Sequence, residues 1–176
     1  SIVSTGKYVM PYFLSQFLEE NPAVKLKMDV TNKAQVVESL EQNMVDFSLV
    51  SILPQRMSLE AIPLMQNQLY LIGNTDFIKK HPVKEIHDLE KVPFIFREEG
   101  SGTRQTLTRF TSFKNLNIES SMELTSNEAV KQAVVAGLGY SVMPLIGIKN
   151  ELELGELEII PIAGFPLTSQ WQLVWL

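Results

Sequence analysis

The sequence predicts an α/β protein built as two Rossmann-like lobes. Apolar runs of strand character alternate with segments of helical periodicity. The order strand, polar turn, helix occurs twice, at residues 1–18 and 92–114. Strand-helix-strand units this short favour parallel strands joined by helical crossovers. A chain of 176 residues has room for two such lobes, since it buries roughly 70% of its unfolded surface.

Ser1 to Ser4 reads as the first strand. Met10, Phe13, Leu14, Phe17 and Leu18 then recur at helical spacing, with Pro11 in the first turn, where a missing N–H costs nothing. The stretch NPAV closes this helix, and KLKMDV (25–30) alternates as a strand does. Asn32 and Gln35 have capping-box spacing ahead of a helix carrying Val36, Val37, Leu40 and Met44. VDFSLVSI (45–52) is a short buried strand, and two strand-like runs follow at 61–65 and 68–73.

From residue 74 the pattern begins again. A loop with His81 and Pro82 leads to the strand VPFIF (92–96), a Gly-Ser-Gly turn and a helix to about Lys114. SMELTS (121–126) is the next strand. Thr125 and Glu128 suggest a second capping box before AVKQAVVAGLG, whose Gly137 and Gly139 mark the helix end. YSVMP, LEIIPI and SQWQLVWL supply the last three strands.

Composition narrows the function. Hydrophobic residues make up 45% and charged residues 20%, as in an ordinary globular protein. Net charge is −5 with no basic stripe, so this chain is a poor candidate for direct contact with nucleic acid. The absence of cysteine excludes disulfides and thiolate chemistry, and fits a reducing compartment. No apolar stretch approaches the roughly 18 residues of a membrane span, and SIVSTGKYVMPYF lacks the layout of a signal peptide.

Ligand sites in parallel α/β sheets lie beyond the carboxyl ends of the strands. The polar turns Ser4-Thr5, Thr31-Asn32, Ser101-Gly102-Thr103 and Thr125-Ser126 all fall there. Each alone reads as a helix cap. Together they can line one cleft if the lobes face each other, with helix N-termini suited to an anion and Lys7, Arg97 and Arg104 supplying charge.

Enzymatic readings find little support. GSGTR has neither the Gly-Lys-Ser/Thr of a phosphate loop nor the third glycine of a dinucleotide loop. His81 and His87 lie in one charged loop at a spacing that suits no metal site. Glu98 and Glu99 point apart in an extended stretch. No catalytic residue, metal ligand or cofactor is assigned.

STGKYVMPYFLSQFLEENPAVKLKM, NKAQVVESLEQNMVDFSLV, FREEGSGTRQTLTRF and SNEAVKQAVVAGLGYSVMP, in that order and spacing, resemble the effector-binding domain of LysR-type transcriptional regulators. HP at 81–82, DL at 88–89 and LVW at 173–175 extend the resemblance over the whole chain, and STGKY followed by TNK is nearest the regulators of carbon-fixation operons. The resemblance implies a type II periplasmic-binding-protein-like fold of two lobes joined by two crossover strands, QLYLIG and WQLVWL. Lobe I would cover residues 1–71, without its return helix, and lobe II 72–176 with the returning crossover strand. The family's winged helix-turn-helix and final helix are missing, so the chain is expected to be a fragment of a longer cytoplasmic regulator.

The resemblance also implies a small anionic effector between the lobes. It would be held by Ser4, Thr5, Asn32 and Ser51 from lobe I and by Ser101, Gly102 and Thr103 from lobe II. Lys7, Arg97 and Ser126 stand beside them. Some relatives carry a basic residue where Ser51 stands, which leaves more of an anion's charge to Lys7, Arg97 and the helix ends. The expected partners are a second copy of the chain, in a homodimer or a tetramer of the longer protein, and DNA through the absent helix-turn-helix. In the dimer the helix at 10–20 would meet the partner's 128–137; otherwise those apolar stripes are core. The alternative reading is a free-standing solute-binding protein of a transporter, since the fold is shared.

Overall fold

The computed structural model describes residues 1–55 and 57–176 and divides the chain into two units, Ser1–Gln66 with Gln170–Leu176, and Asn67–Ser169. Pro11 shapes the start of the first. The expected strand at 1–4 shrinks to one residue, Ile2, whose N–H donates to the Leu49 carbonyl (3.2 Å) and which bridges Thr31 in parallel. Helix α1 (Val3–Tyr8) begins at once and breaks at Val9, two residues before Pro11, before α2 (Met10–Glu20) resumes. A proline ring clashes with the carbonyl four residues back and has no N–H to donate, so one continuous helix is not available here.

The expected strand at 25–30 also fails to form; only Thr31 pairs, its N–H donating to the Ser1 carbonyl (3.0 Å). Val24, Leu26 and Val30 stay exposed, so no buried face rewards a ladder. Asn32 does cap α3 (Lys33–Glu41), its Oδ1 accepting from the Gln35 N–H (3.1 Å). Met44 lies beyond that helix and is exposed. Strand β1 (Ser48–Val50) pairs antiparallel with the end of β7 (Leu167–Trp175). The core of this unit is Ile2, Val9, Val36, Leu40, Val50, Trp171 and Val174.

The runs at 61–65 and 68–73 are one strand, β2 (Glu60–Gly73). The chain passes between the units within β2 and within β7. In the second unit β2 pairs antiparallel with β5 (Ser141–Pro144) and β6 (Glu158–Ile159). Among the described residues of this unit, β3 (Phe94–Arg97) and β4 (Ser120–Leu124) form the parallel strand pair that strand-helix-strand units favour, and Phe94 adds an isolated parallel bridge to Tyr140. The other strands reverse direction because the chain enters and leaves this unit through two long strands rather than helical crossovers.

Alternation along β3 sets the layers. Phe94 and Phe96 join one cluster with Leu69, Leu71 and Leu107, while Ile95 joins another with Ile72, Val130, Ala133, Val134 and Met143. The sheet therefore packs between α5 (Gly102–Phe113) and α6 (Asn127–Val135), and both helices start at the carboxyl end of the parallel strand before them. Helices α4 (Thr75–Lys80) and α7 (Lys149–Glu153) complete the unit.

Among the described residues four helices end alike. Asn43, Asn115, Gly137 and Gly155 have positive φ, and the next N–H reaches back to Ser39, Thr111, Ala133 and Glu151 respectively. Gly137 thus meets its expected role, while Gly139 serves another purpose. A Cβ on Gly139 would lie 2.9 Å from the Pro93 carbonyl oxygen, a backbone atom that holds the Tyr140 N–H. Gly139→Ala is expected to cost about 1–3 kcal/mol by forcing β5 off β3, read as a lowered urea midpoint.

A second result follows from the turn at Ile86–Lys91. Asp88 accepts from the Lys84 and Glu85 N–H groups (2.9 and 3.1 Å), and Glu90 from that of Asn117 (2.7 Å). These bonds hold both carboxyls below their ordinary values of 3.8 and 4.5. A depressed folded value gives stability that is complete above the unfolded value and lost as pH falls through the folded one. Melting temperature should therefore drop as pH falls below 4.5 and then 3.8, with a shallower drop in Asp88→Asn and Glu90→Gln.

Candidate functional site

The turn after β3 is closed by two backbone bonds, from the Glu98 N–H to the Leu124 carbonyl (3.1 Å) and from the Ser101 N–H to the Glu98 carbonyl (3.2 Å). Gly100 has φ of 89°, a conformation costly for other residues. Ser101 is buried and caps α5, its hydroxyl accepting from the Arg104 N–H (3.3 Å). Gly102 and Thr103 form the first turn of α5 and are half-buried. Ser126, not Thr125, caps α6, its hydroxyl accepting from the Ala129 N–H (3.1 Å). The capping-box spacing misassigned this cap by one residue because β4 and its turn extend through Thr125.

Arg97 lies beneath both helix starts and is 5% exposed. Its Nε and Nη2 donate to the two carboxylate oxygens of Glu98 (2.7 and 2.9 Å), and Nη1 donates to Oδ1 of Asn127, the buried first residue of α6. The Arg97 carbonyl accepts from Arg104 Nη1 (3.2 Å). Arg104 also stacks over Phe96, 4.1 Å from the ring centroid, and pairs with Glu123 (3.7 Å). Arg97 and Ser101 are thus linked through Arg104, and Arg97 holds Asn127, the residue after the Ser126 cap. Glu98 and Asn127 escaped the sequence reading: neighbours in a strand point apart, and Glu98 turns back only because β3 ends at Arg97.

The candidates of the first unit gather around Ile2. It bridges Thr31 in parallel and bonds to Leu49, so Ser4, Asn32 and Ser51 each follow one of three neighbouring segments. Ser4, Thr5 and Ser51 are buried, Asn32 is half-buried and Lys7 is exposed in the last turn of α1. Thr5 is 1% exposed, and its hydroxyl has no hydrogen-bond partner among the described residues. Buried polar groups almost always find a partner, which sets this hydroxyl apart.

Among the described residues no group of three or more His, Asp or Glu could hold a metal ion, and no helix is long and apolar enough to cross a membrane. The arrangement offers buried hydroxyls, amides and helix N-termini, a chemistry for holding a small polar molecule.

Comparison with known proteins agrees. The LysR substrate binding domain family matches residues 1–176. A RuBisCO operon transcriptional regulator of Allochromatium vinosum is 38% identical over 99% of the chain and 58% of that protein. The HTH-type transcriptional activator CmpR of Synechocystis sp. is 33% identical over 98% of the chain and 57% of its own length. The chain thus spans a little over half of these relatives. The regulatory domain of CcmR from Synechocystis PCC6803, solved in complex with 2-PG, superposes with a TM-score of 0.90 at 32% identity, covering 99% of this chain and 85% of that one. The periplasmic-binding-protein-like fold implied by the resemblance is therefore the fold of this chain. The chain belongs to the LysR substrate binding domain family, and its relatives include regulators of the RuBisCO operon.

Proposed function

We propose that the chain is the effector-binding domain of a DNA-binding transcriptional regulator and that its effector is a small anion, with 2-PG the first candidate. The observation that carries this reading is the likeness to the CcmR regulatory domain, whose structure holds 2-PG. The unpartnered Thr5 hydroxyl supports it, since a ligand oxygen satisfies such a group without rearrangement. In this reading the ligand-holding candidates are Ser4, Thr5, Asn32 and Ser51 of the first unit, with Lys7 nearby, and Ser101, Gly102, Thr103 and Ser126 of the second. Arg97 supports the second set. The chain carries out no reaction.

Contact with DNA belongs to the part of the longer protein that in CmpR earns the name HTH-type, and such a regulator works in the cytoplasm. A homodimer is part of the proposal. Helix α2 buries no residue within the chain, and Tyr12, Phe13 and Phe17 remain exposed, as a self-association face requires.

A thermal-shift titration with 2-PG tests the reading. Ligand at about 100 times its dissociation constant adds roughly 2.7 kcal/mol of stability, a shift of several degrees for a chain of this size. No shift at millimolar 2-PG would remove it as the effector.

A further inference from the structure

We propose that Arg97 is a positioning residue for the ligand rather than a contact to it: with Glu98 and Asn127 it forms a charge-neutral clamp that fixes the starts of α5 and α6 relative to each other. This inference rests on the proposed ligand-binding function. An arginine beside a site for an anion is ordinarily read as the anion's counter-charge. Here the guanidinium already has a carboxylate, held by two short bonds, with both side chains removed from water (4% and 12% exposed). Its Nη1 donates to Asn127 at the head of α6, while its own backbone carbonyl accepts from Arg104 in the first turn of α5. One side chain and one carbonyl therefore tie β3 to both helices whose first turns carry Ser101, Thr103 and Ser126.

The consequence concerns specificity. The pair contributes no net charge, so Arg97 brings an anion no counter-charge, and the turns it holds offer backbone N–H groups, hydroxyls and helix ends. Those groups act through geometry, and their spacing depends on the clamp. A guanidinium fork fits the carboxylate with two parallel bonds that an ammonium cannot make.

Two sets of measurements on the 176-residue chain decide the matter. The first compares urea stability without ligand for Arg97→Gln, Glu98→Gln and the double variant. The clamp predicts strong coupling: the double variant, with a neutral amide pair, loses clearly less stability than the sum of the two single losses. Additive losses would overturn it. The second measures 2-PG binding by calorimetry. Arg97→Gln and Arg97→Lys should each weaken binding about tenfold, the lysine despite keeping its charge, while the double variant returns to within about threefold of wild type. A double variant as weak as Arg97→Gln, or Arg97→Lys at wild-type affinity, would make Arg97 a direct contact and end the proposal. If the wild-type chain binds no 2-PG, the effector assignment falls and the ligand-free coupling alone decides whether the clamp exists.

Discussion

Glu98→Ala is expected to destabilise the chain by about 3–5 kcal/mol, the largest loss expected of any single polar substitution here. The alanine removes both bonds to Arg97 Nε and Nη2 and leaves a guanidinium with 4% exposure facing one neutral amide. A buried charge without its partner cannot shed its proton when it is an arginine, so the desolvation cost is borne in full. The pairs Lys79–Asp76 and Lys91–Asp88 make the contrast. Each spans 3.8 Å with a lysine more than 70% exposed, at 72% and 73%. Lys79→Ala and Lys91→Ala should change stability by less than about 1 kcal/mol. Urea denaturation with an unchanged m-value reads both results.

Thr5→Val should move stability and ligand binding in opposite directions. Valine keeps the shape of threonine and removes the hydroxyl that has no partner among the described residues. Relief of an unsatisfied buried group should stabilise the ligand-free chain by about 1 kcal/mol or more. The same change removes a hydrogen bond that the proposed ligand would make, and binding of 2-PG should weaken by about 1 kcal/mol or more. A residue that served only to pack α1 would change stability alone. Thr103→Ala, at the start of α5, supplies the matching test in the second unit.

The fold was legible where local chemistry decides the structure. Asn32, Ser101 and the apolar residues of α6 carried their own signals and formed the expected elements. Failures occurred where a partner decides. The alternation at 25–30 resembles a strand, but Thr31 alone finds a neighbour to pair with. Strand direction was misread because the two long strands, β2 and β7, run antiparallel to the strands they join, which no local pattern encodes. The polar turns drew attention to Ser4, Thr5 and Ser101, but not to the bonds behind them. Nothing in the adjacent letters of Arg97 and Glu98 says that their side chains meet, and Asn127 lies 30 residues away from Arg97. Asn43 and Asn115 were missed as helix ends because asparagine signals a left-handed residue less clearly than glycine does.

The chain is proposed to hold a small anion, with the Thr5 and Thr103 hydroxyls among the groups that bind it. Calorimetric titration of 2-PG into the wild-type chain, Thr5→Val and Thr103→Ala tests it most directly. Saturable binding of one 2-PG per chain is expected, with affinity reduced about fivefold or more in each variant. Wild-type affinity in both variants, or no saturable binding by the wild-type chain, would contradict it.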